Sequence, residues 1–266
     1  MFPPQRIVCL TEETVETLYL LGEDARIVGV SGYAVRPKQV RKEKPRVSAF
    51  ISADVPKILA LKPDLVLGFS DLQADIARDL AKAGLNVVIF NQRSVNEILS
   101  MILTLSAMVG AADKGGKLID EIEQGLEAIR LAGMRFPRRP RVYFEEWDEP
   151  MISAIRWVSE LIEVAGGEDV FSSLSLSHAA SGRTIADPQE VVRRAPDVIL
   201  GSWCGKKFRP ERVAARPGWD AIPAVRAGAL YEIKSADILQ PGPAALTDGV
   251  RRIHRILTGW AADLSR

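Results

Sequence analysis

Apolar residues along the chain fall into two rhythms that alternate. Short runs of three to five buried-type residues (Arg6 to Leu10, Arg26 to Val30, Leu65 to Gly68, Val87 to Phe90) read as strands. Between them, apolar residues recur every three or four positions, as in Val15, Leu18 and Leu21 or Val95, Ile98, Leu99, Ile102 and Leu105, and read as helices. Thr11 and Ser94 stand where helix caps are expected, and Gly22 and Gly84 where helices stop. Residues 35–46 are polar and basic with two prolines and read as a surface loop. The longest helical pattern covers residues 111–131, with Leu118, Ile122, Leu126 and Ile129 on one face. A helix of that length spans roughly 30 Å. Gly133 and the run Phe136-Pro137-Arg138-Arg139-Pro140 end it.

After that helix the pattern restarts. Strands are expected at Arg141 to Phe144, Val198 to Leu200 and Leu230 to Ile233, with a helix from about Trp157 to Ala165 stopped by Gly166-Gly167. Asp187-Pro188 suits the start of another helix. Leu246, Val250, Ile253, Leu257 and Trp260 mark the buried stripe of a closing helix. One phrase occurs twice. Residues 58–68 end in Pro63-Asp64-Leu-Val-Leu-Gly68, and residues 191–201 end in Pro196-Asp197-Val-Ile-Leu-Gly201. The expected fold class is α/β: two lobes, each a mostly parallel sheet flanked by helices, joined by one long rigid helix. The boundaries are 1–110 for the N-terminal α/β lobe, 111–134 for the connecting helix and 135–266 for the C-terminal α/β lobe.

Composition narrows this without redirecting it. The 266 residues are 47% hydrophobic and 26% charged, with a net charge of +1, so no basic footprint for nucleic acid stands out. Cys9 and Cys204 are too few for a disulfide framework and read as two buried thiols. The N-terminus lacks a leader pattern, and no apolar run is long enough to be a membrane segment, so the chain as written reads as cytoplasmic, or periplasmic if a leader precedes it.

Ligands of open parallel sheets bind at the carboxyl ends of strands. Those ends carry Tyr33, Phe50, Phe69 and Asn91 in the first lobe, and Trp147 and Trp203 in the second, with Trp157 at a following helix start. Such rings suit a flat apolar cleft for a large ring ligand, with Ser31, Ser70, Asp71, Glu146, Asp148, Arg156 and Arg183 as polar readers at its rim. The alternative is that the aromatics only pack the lobes. Two histidines leave little for acid–base chemistry. His254 reads as structural, and His178, in a Ser-rich loop, is a weak candidate metal ligand. The acidic run 145–149 reads as a solvated rim.

Several of these stretches together resemble the class III periplasmic substrate-binding proteins, cobalamin-binding and iron-siderophore-binding type. They are Arg6-Ile-Val-Cys-Leu, Ile27-Val-Gly-Val-Ser31, residues 58–67, Glu146-Trp-Asp-Glu-Pro150 and the 161–170 run with its Ala-Gly-Gly turn. The resemblance covers nearly the whole chain and implies a ligand cleft between lobes whose connecting helix resists wide closure. It implies that Tyr33, Phe50, Phe69 and Trp147 face a corrin ring; Trp157, Trp203 and Arg183 join the expected ligand-binding set on location. In importers of this type, a glutamate on each lobe docks on an ABC permease. The matching positions here are Ala74 and Leu239, so both docking glutamates are missing. The resulting expectation is non-catalytic binding of cobalamin or another corrinoid, with no required cofactor, in the cytosol and without transport. The alternatives are an ABC importer component for cobalamin, haem or ferric siderophore, a chelatase-like enzyme, and an oxyanion or small-metal binder.

Overall fold

The computed structural model describes residues 2–264. The chain forms two compact units. The first runs to Gln92 and adds Asn96–Ile122 and Pro241–Pro243. The second comprises Arg93–Val95, Glu123–Gln240 and the chain from Ala244.

The first unit is built on β1 (Ile7–Cys9), β2 (Ile27–Ser31), β3 (Arg46–Ser48), β4 (Leu65–Phe69) and β5 (Val87–Phe90). All pair in parallel, in the order β3-β2-β1-β4-β5. The central strands β1 and β4 are wholly buried, as their unbroken apolar runs require. The edge strand β3 falls within and beyond the basic stretch expected to be loop, which also holds a short helix, Val40–Glu43. Only Val47 of β3 is buried, so the strand has no apolar run to announce it.

The second unit contains β6 (Arg141–Asp148), β7 (Met151–Ser153), β8 (Glu168–Asp169), β9 (Val198–Gly201) and β10 (Leu230–Glu232). The sheet order is β10-β9-β6-β7, with β8 also on β6. β6, β8, β9 and β10 run parallel, and β7 runs antiparallel to β6. The expected strand Arg141 to Phe144 continues through the acidic residues to Asp148, and the chain then turns back into β7. A core of Tyr143, Phe171, Phe208 and Trp219 fills one region of this unit, with Tyr143 meeting Phe171 and Trp219 edge-on.

The repeated Pro-Asp phrase has one physical job in both units. Lys62 (φ 48°) and Ala195 (φ 43°) take the left-handed conformation immediately before the proline. The turn brings the aspartate to the head of the neighbouring central strand. Asp64 accepts from the backbone N–H groups of Gln5 (2.7 Å) and Arg6 (2.9 Å), just ahead of β1. Asp197 accepts from Arg141 N–H at the head of β6 (2.8 Å) and holds Arg138 through two bonds (2.7 and 2.8 Å). Each carboxylate thus satisfies strand-head donors that no ladder reaches.

The long helix spans Ala112–Gly133, about 33 Å at the usual rise. Its inner stripe is Gly115, Ile119, Ile122, Leu126 and Gly133, with Leu118 and Ile129 half-buried. Its first half belongs to the first unit and its second half, from Glu123, to the second. A glycine sets the approach of each half. A Cβ on Gly115 would lie 1.9 Å from Ser106 Oγ, and one on Gly133 would lie 2.7 Å from Gly166 Cα. No helix among the described residues is long and apolar enough to cross a membrane.

Candidate functional site

The carboxyl edge of the first sheet is held from beneath by one neutral side chain. Gln73 is fully buried. Its Oε1 accepts from Phe69 N–H (3.0 Å), and its Nε2 donates to Phe50 O (2.8 Å) and reaches Leu10 O at 3.5 Å. The exits of β1, β3 and β4 are therefore tied to a single amide. Gly68 makes room for it, because a Cβ there would stand 2.6 Å from Gln73 Oε1.

Ser70, next in the chain, sits at φ 73° and ψ 157°, a region of backbone space that non-glycine residues occupy at a cost. Its N–H donates to Phe90 O (2.8 Å), and its Oγ accepts from Leu72 N–H (3.1 Å) and donates to Asp71 (3.0 Å). These bonds hold the turn after β4. The exits of β2, β3 and β4 then present three large apolar side chains to solvent: Tyr33 (54% exposed), Ile51 (73%) and Leu72 (62%). All three stand at the carboxyl end of the same sheet, where the exit loops leave it.

The carboxyl edge of the second sheet is held by charge. Glu145, completely buried, forms two bonds with Arg216 (2.5 and 3.0 Å). It also accepts from Tyr143 O–H (2.9 Å) and Trp203 Nε1–H (3.1 Å). Burial and the neighbouring Glu145 carboxylate hold the Tyr143 hydroxyl well above the ordinary phenol range. The Arg216 guanidinium lies over Trp219, 4.6 Å from its ring centre. Here too a strand-closing glycine yields to a crossing side chain: a Cβ on Gly201 would meet the Phe208 ring at 2.0 Å. Above this layer Lys206 stands over Trp147 (4.1 Å) and near Trp203 (5.1 Å), and pairs with Asp148.

The expected site residues separate on burial. Tyr33 is exposed, Phe50 and Trp147 are half-buried, and Phe69 is buried. Gln73 brings Phe50 and Phe69 together, and Lys206 brings Trp147 and Trp203 together. Trp203 is packed edge-on against Phe208 (5.0 Å) and offers little surface. Trp157 is a core residue of its helix, Arg156–Val164, with Nε1–H donating to Ile238 O (2.9 Å). Arg183 is no rim reader in this structure. Its buried guanidinium is engaged by Glu146 (2.5 and 3.1 Å) and by Ser153 O (2.7 Å). Arg156 pairs with Glu160 at 2.9 Å.

The solvated acidic rim is also corrected. Glu145, Glu146 and Asp148 are each paired with a cation, and within 145–149 only Glu149 is exposed. His178 is exposed, and no group of three or more His, Cys, Asp or Glu among the described residues could hold a metal. His254 is structural: its Nδ1 lies 3.0 Å from Ala165 O, and its ring stacks on Phe136. Cys9 is a core thiol that burial pushes up to about 12, whereas Cys204 is exposed, on the loop after β9.

Gln73, Ile51, Leu72 and Lys206 were missed by the sequence reading. Gly68 and Gly201 hold the available signal, since a glycine near the end of a strand often marks a close approach by another group.

The profile of the family described as "Periplasmic binding protein" matches residues 7–236. The chain is 25% identical to the Bacillus subtilis protein named uncharacterized ABC transporter substrate-binding lipoprotein YvrC, over 94% of this chain and 79% of that one. It is 28% identical to the vitamin B12-binding protein of Vibrio cholerae, over 76% of this chain and 71% of that one. Among solved structures, a possible iron-binding periplasmic solute-binding protein of Staphylococcus epidermidis superposes with a TM-score of 0.83 at 21% identity, covering 96% of this chain and 99% of its own. The periplasmic haem-binding protein BhuT, solved with two haems, gives 0.80 at 24% identity, covering 96% and 98%.

Proposed function

The chain belongs to the periplasmic binding protein family, and from that premise we propose that it is the ligand-binding component of an ABC importer, taking a large ring ligand of the corrinoid or haem type. The observation that carries the ring ligand is the exposed apolar set Tyr33, Ile51 and Leu72 on one sheet edge. A small oxyanion would need buried, unpaired cations; Arg183 and Arg216 are already bound to Glu146 and Glu145. The relatives named as vitamin B12-binding and as an ABC transporter substrate-binding lipoprotein support both ligand and importer. A cytosolic role without transport draws no support from them, so the importer reading replaces it. A chelatase-like activity is disfavoured by the histidines: His254 is held in the fold by Ala165 O, and His178 lies exposed.

The test is titration of the purified protein with cyanocobalamin, dicyanocobinamide, haem and a ferric siderophore, followed by visible spectra and tryptophan fluorescence. A corrinoid or haem should bind at micromolar concentration or tighter, about 8 kcal/mol or more. If neither binds more tightly than about millimolar, roughly 4 kcal/mol, the ring-ligand reading fails. Leu72→Asp should weaken whichever ligand binds by about tenfold, since it places a charge on the apolar surface.

A further inference from the structure

Lys206 is in an unusual position for a surface lysine. Its ammonium is 4.1 Å from the Trp147 ring centre and 5.1 Å from that of Trp203, and it pairs with Asp148. Its side chain remains 40% exposed. Trp203 beneath it is fixed by its bond to Glu145 and its edge contact with Phe208. The backbone around it is open: Gly205, at φ 77°, has nothing within 4 Å of where a Cβ would stand. A long flexible cation therefore rests on an ordered aromatic platform. Lys206 thus occupies one face of the Trp147 ring.

We propose that Lys206 is a specificity-determining residue that selects planar ring ligands carrying carboxylate side groups. This rests on the ring-ligand reading above and narrows it. A ring that stacks on Trp147 must displace the ammonium and forfeit its cation–π contact. A ligand whose side groups are all neutral returns only the weaker hydrogen bond of an amide or ester carbonyl. A ligand with a carboxylate at its periphery gives the displaced ammonium a charge-assisted hydrogen bond, made close to an aromatic surface that keeps water away. Asp148, at the end of β6, pairs with the ammonium and holds it beside the ring. The structure thus favours a porphyrin dicarboxylate over a corrinoid whose side chains are amides.

The experiment compares protoporphyrin IX, its dimethyl ester and cyanocobalamin, in one co-solvent, on the wild-type protein, Lys206→Met and Trp147→Ala. The acid should bind wild type at least about tenfold more tightly than the ester, the size of one charge-assisted hydrogen bond. Lys206→Met should abolish that preference by weakening the acid alone, and Trp147→Ala should weaken acid and ester together. Equal binding of acid and ester to wild type, or an unchanged preference in Lys206→Met, overturns the role of Lys206 while leaving ring binding intact. Binding of cyanocobalamin alone overturns the carboxylate preference. Failure of all three ligands overturns this inference together with the ring-ligand reading.

Discussion

The two units meet the same requirement with opposite chemistry. Each must hold the loops at the carboxyl edge of its parallel strands, and each has a glycine in the last two residues of a strand where a side chain crosses. In the first unit a neutral amide, Gln73, ties three exits. In the second a buried ion pair, Glu145 with Arg216, gathers Tyr143 and Trp203. A neutral clamp costs little to bury and loses only hydrogen bonds when broken. An ionic clamp is expensive to desolvate, and losing one partner strands the other. The second unit should therefore be the more brittle of the two.

The largest expected effect tests that asymmetry directly. Glu145→Gln leaves the Arg216 guanidinium without its counter-charge and should cost about 3–5 kcal/mol in urea unfolding. Replacing both residues by methionine should restore most of it, since no buried charge then remains. A double variant as unstable as the single one would show that the aromatic layer, rather than the charge, depends on Glu145.

The counterpart in the first unit is Gln73→Leu. It removes two neutral hydrogen bonds, from Phe69 N–H and to Phe50 C=O, at about 0.5–1.5 kcal/mol each. Amide exchange at Phe69 should accelerate with it. A cost above that of Glu145→Gln would reverse the ranking of the two clamps.

A third prediction concerns pH and falls on the first unit as well. Glu13, in the first turn after β1, is buried; Thr11 Oγ1 donates to one of its oxygens (2.6 Å), and the other has no hydrogen-bond partner among the described residues. Burial is the main cause that raises its carboxyl to about 8. Glu12 beside it, half-buried, is raised to about 7 by the same cause. The folded protein therefore keeps a proton on Glu13 that the unfolded chain releases above its ordinary value near 4.5. Stability from this group is full below about pH 4.5 and falls as pH rises toward 8. Between pH 6 and 8 the loss should be about 2 kcal/mol. Glu13→Gln should remove that part of the slope and leave the smaller share from Glu12. An unchanged slope in chemical unfolding across that range would show that Glu13 is ionised in the folded state.

The difference between the units also explains what could be read from sequence. Strands buried on both faces, such as β1, β4 and β9, announce themselves as apolar runs, and the Pro-Asp-strand-Gly phrase marks equivalent places in each unit. β3 and β7 could not be read that way, because an edge strand with one or two buried residues has no run. The acidic stretch 145–149 misled for a related reason. Adjacent carboxylates look like surface until their cations, Arg216, Arg183 and Lys206, arrive from 37 to 71 positions away. Trp157 and Trp203 lie near strand ends, as the pattern requires, but their Nε1–H groups find partners inside the fold. Proximity to a site is legible in sequence, whereas the direction a ring faces is set by such distant partners.

The smallest effects lie in the long helix, where the two units can be compared residue for residue. Gly133 touches backbone: its added Cβ would stand 2.7 Å from Gly166 Cα, and Gly166 itself sits at φ 96°. Gly115 faces a side chain, Ser106, whose Oγ donates to the Ile102 and Leu103 carbonyls. Gly116 has nothing within 4 Å. Gly133→Ala should destabilise the protein by about 1–3 kcal/mol, because backbone cannot rotate away. Gly115→Ala should also destabilise it, and the added change Ser106→Ala should recover part of the loss by removing the oxygen nearest the new methyl group. Gly116→Ala should raise stability by about 0.5–1 kcal/mol, since it only narrows the unfolded ensemble. Urea midpoints of the three variants would rank them. If Gly133→Ala behaved like Gly116→Ala, the second half of the helix would not be held against the Gly166 turn as closely as the first half is held against Ser106.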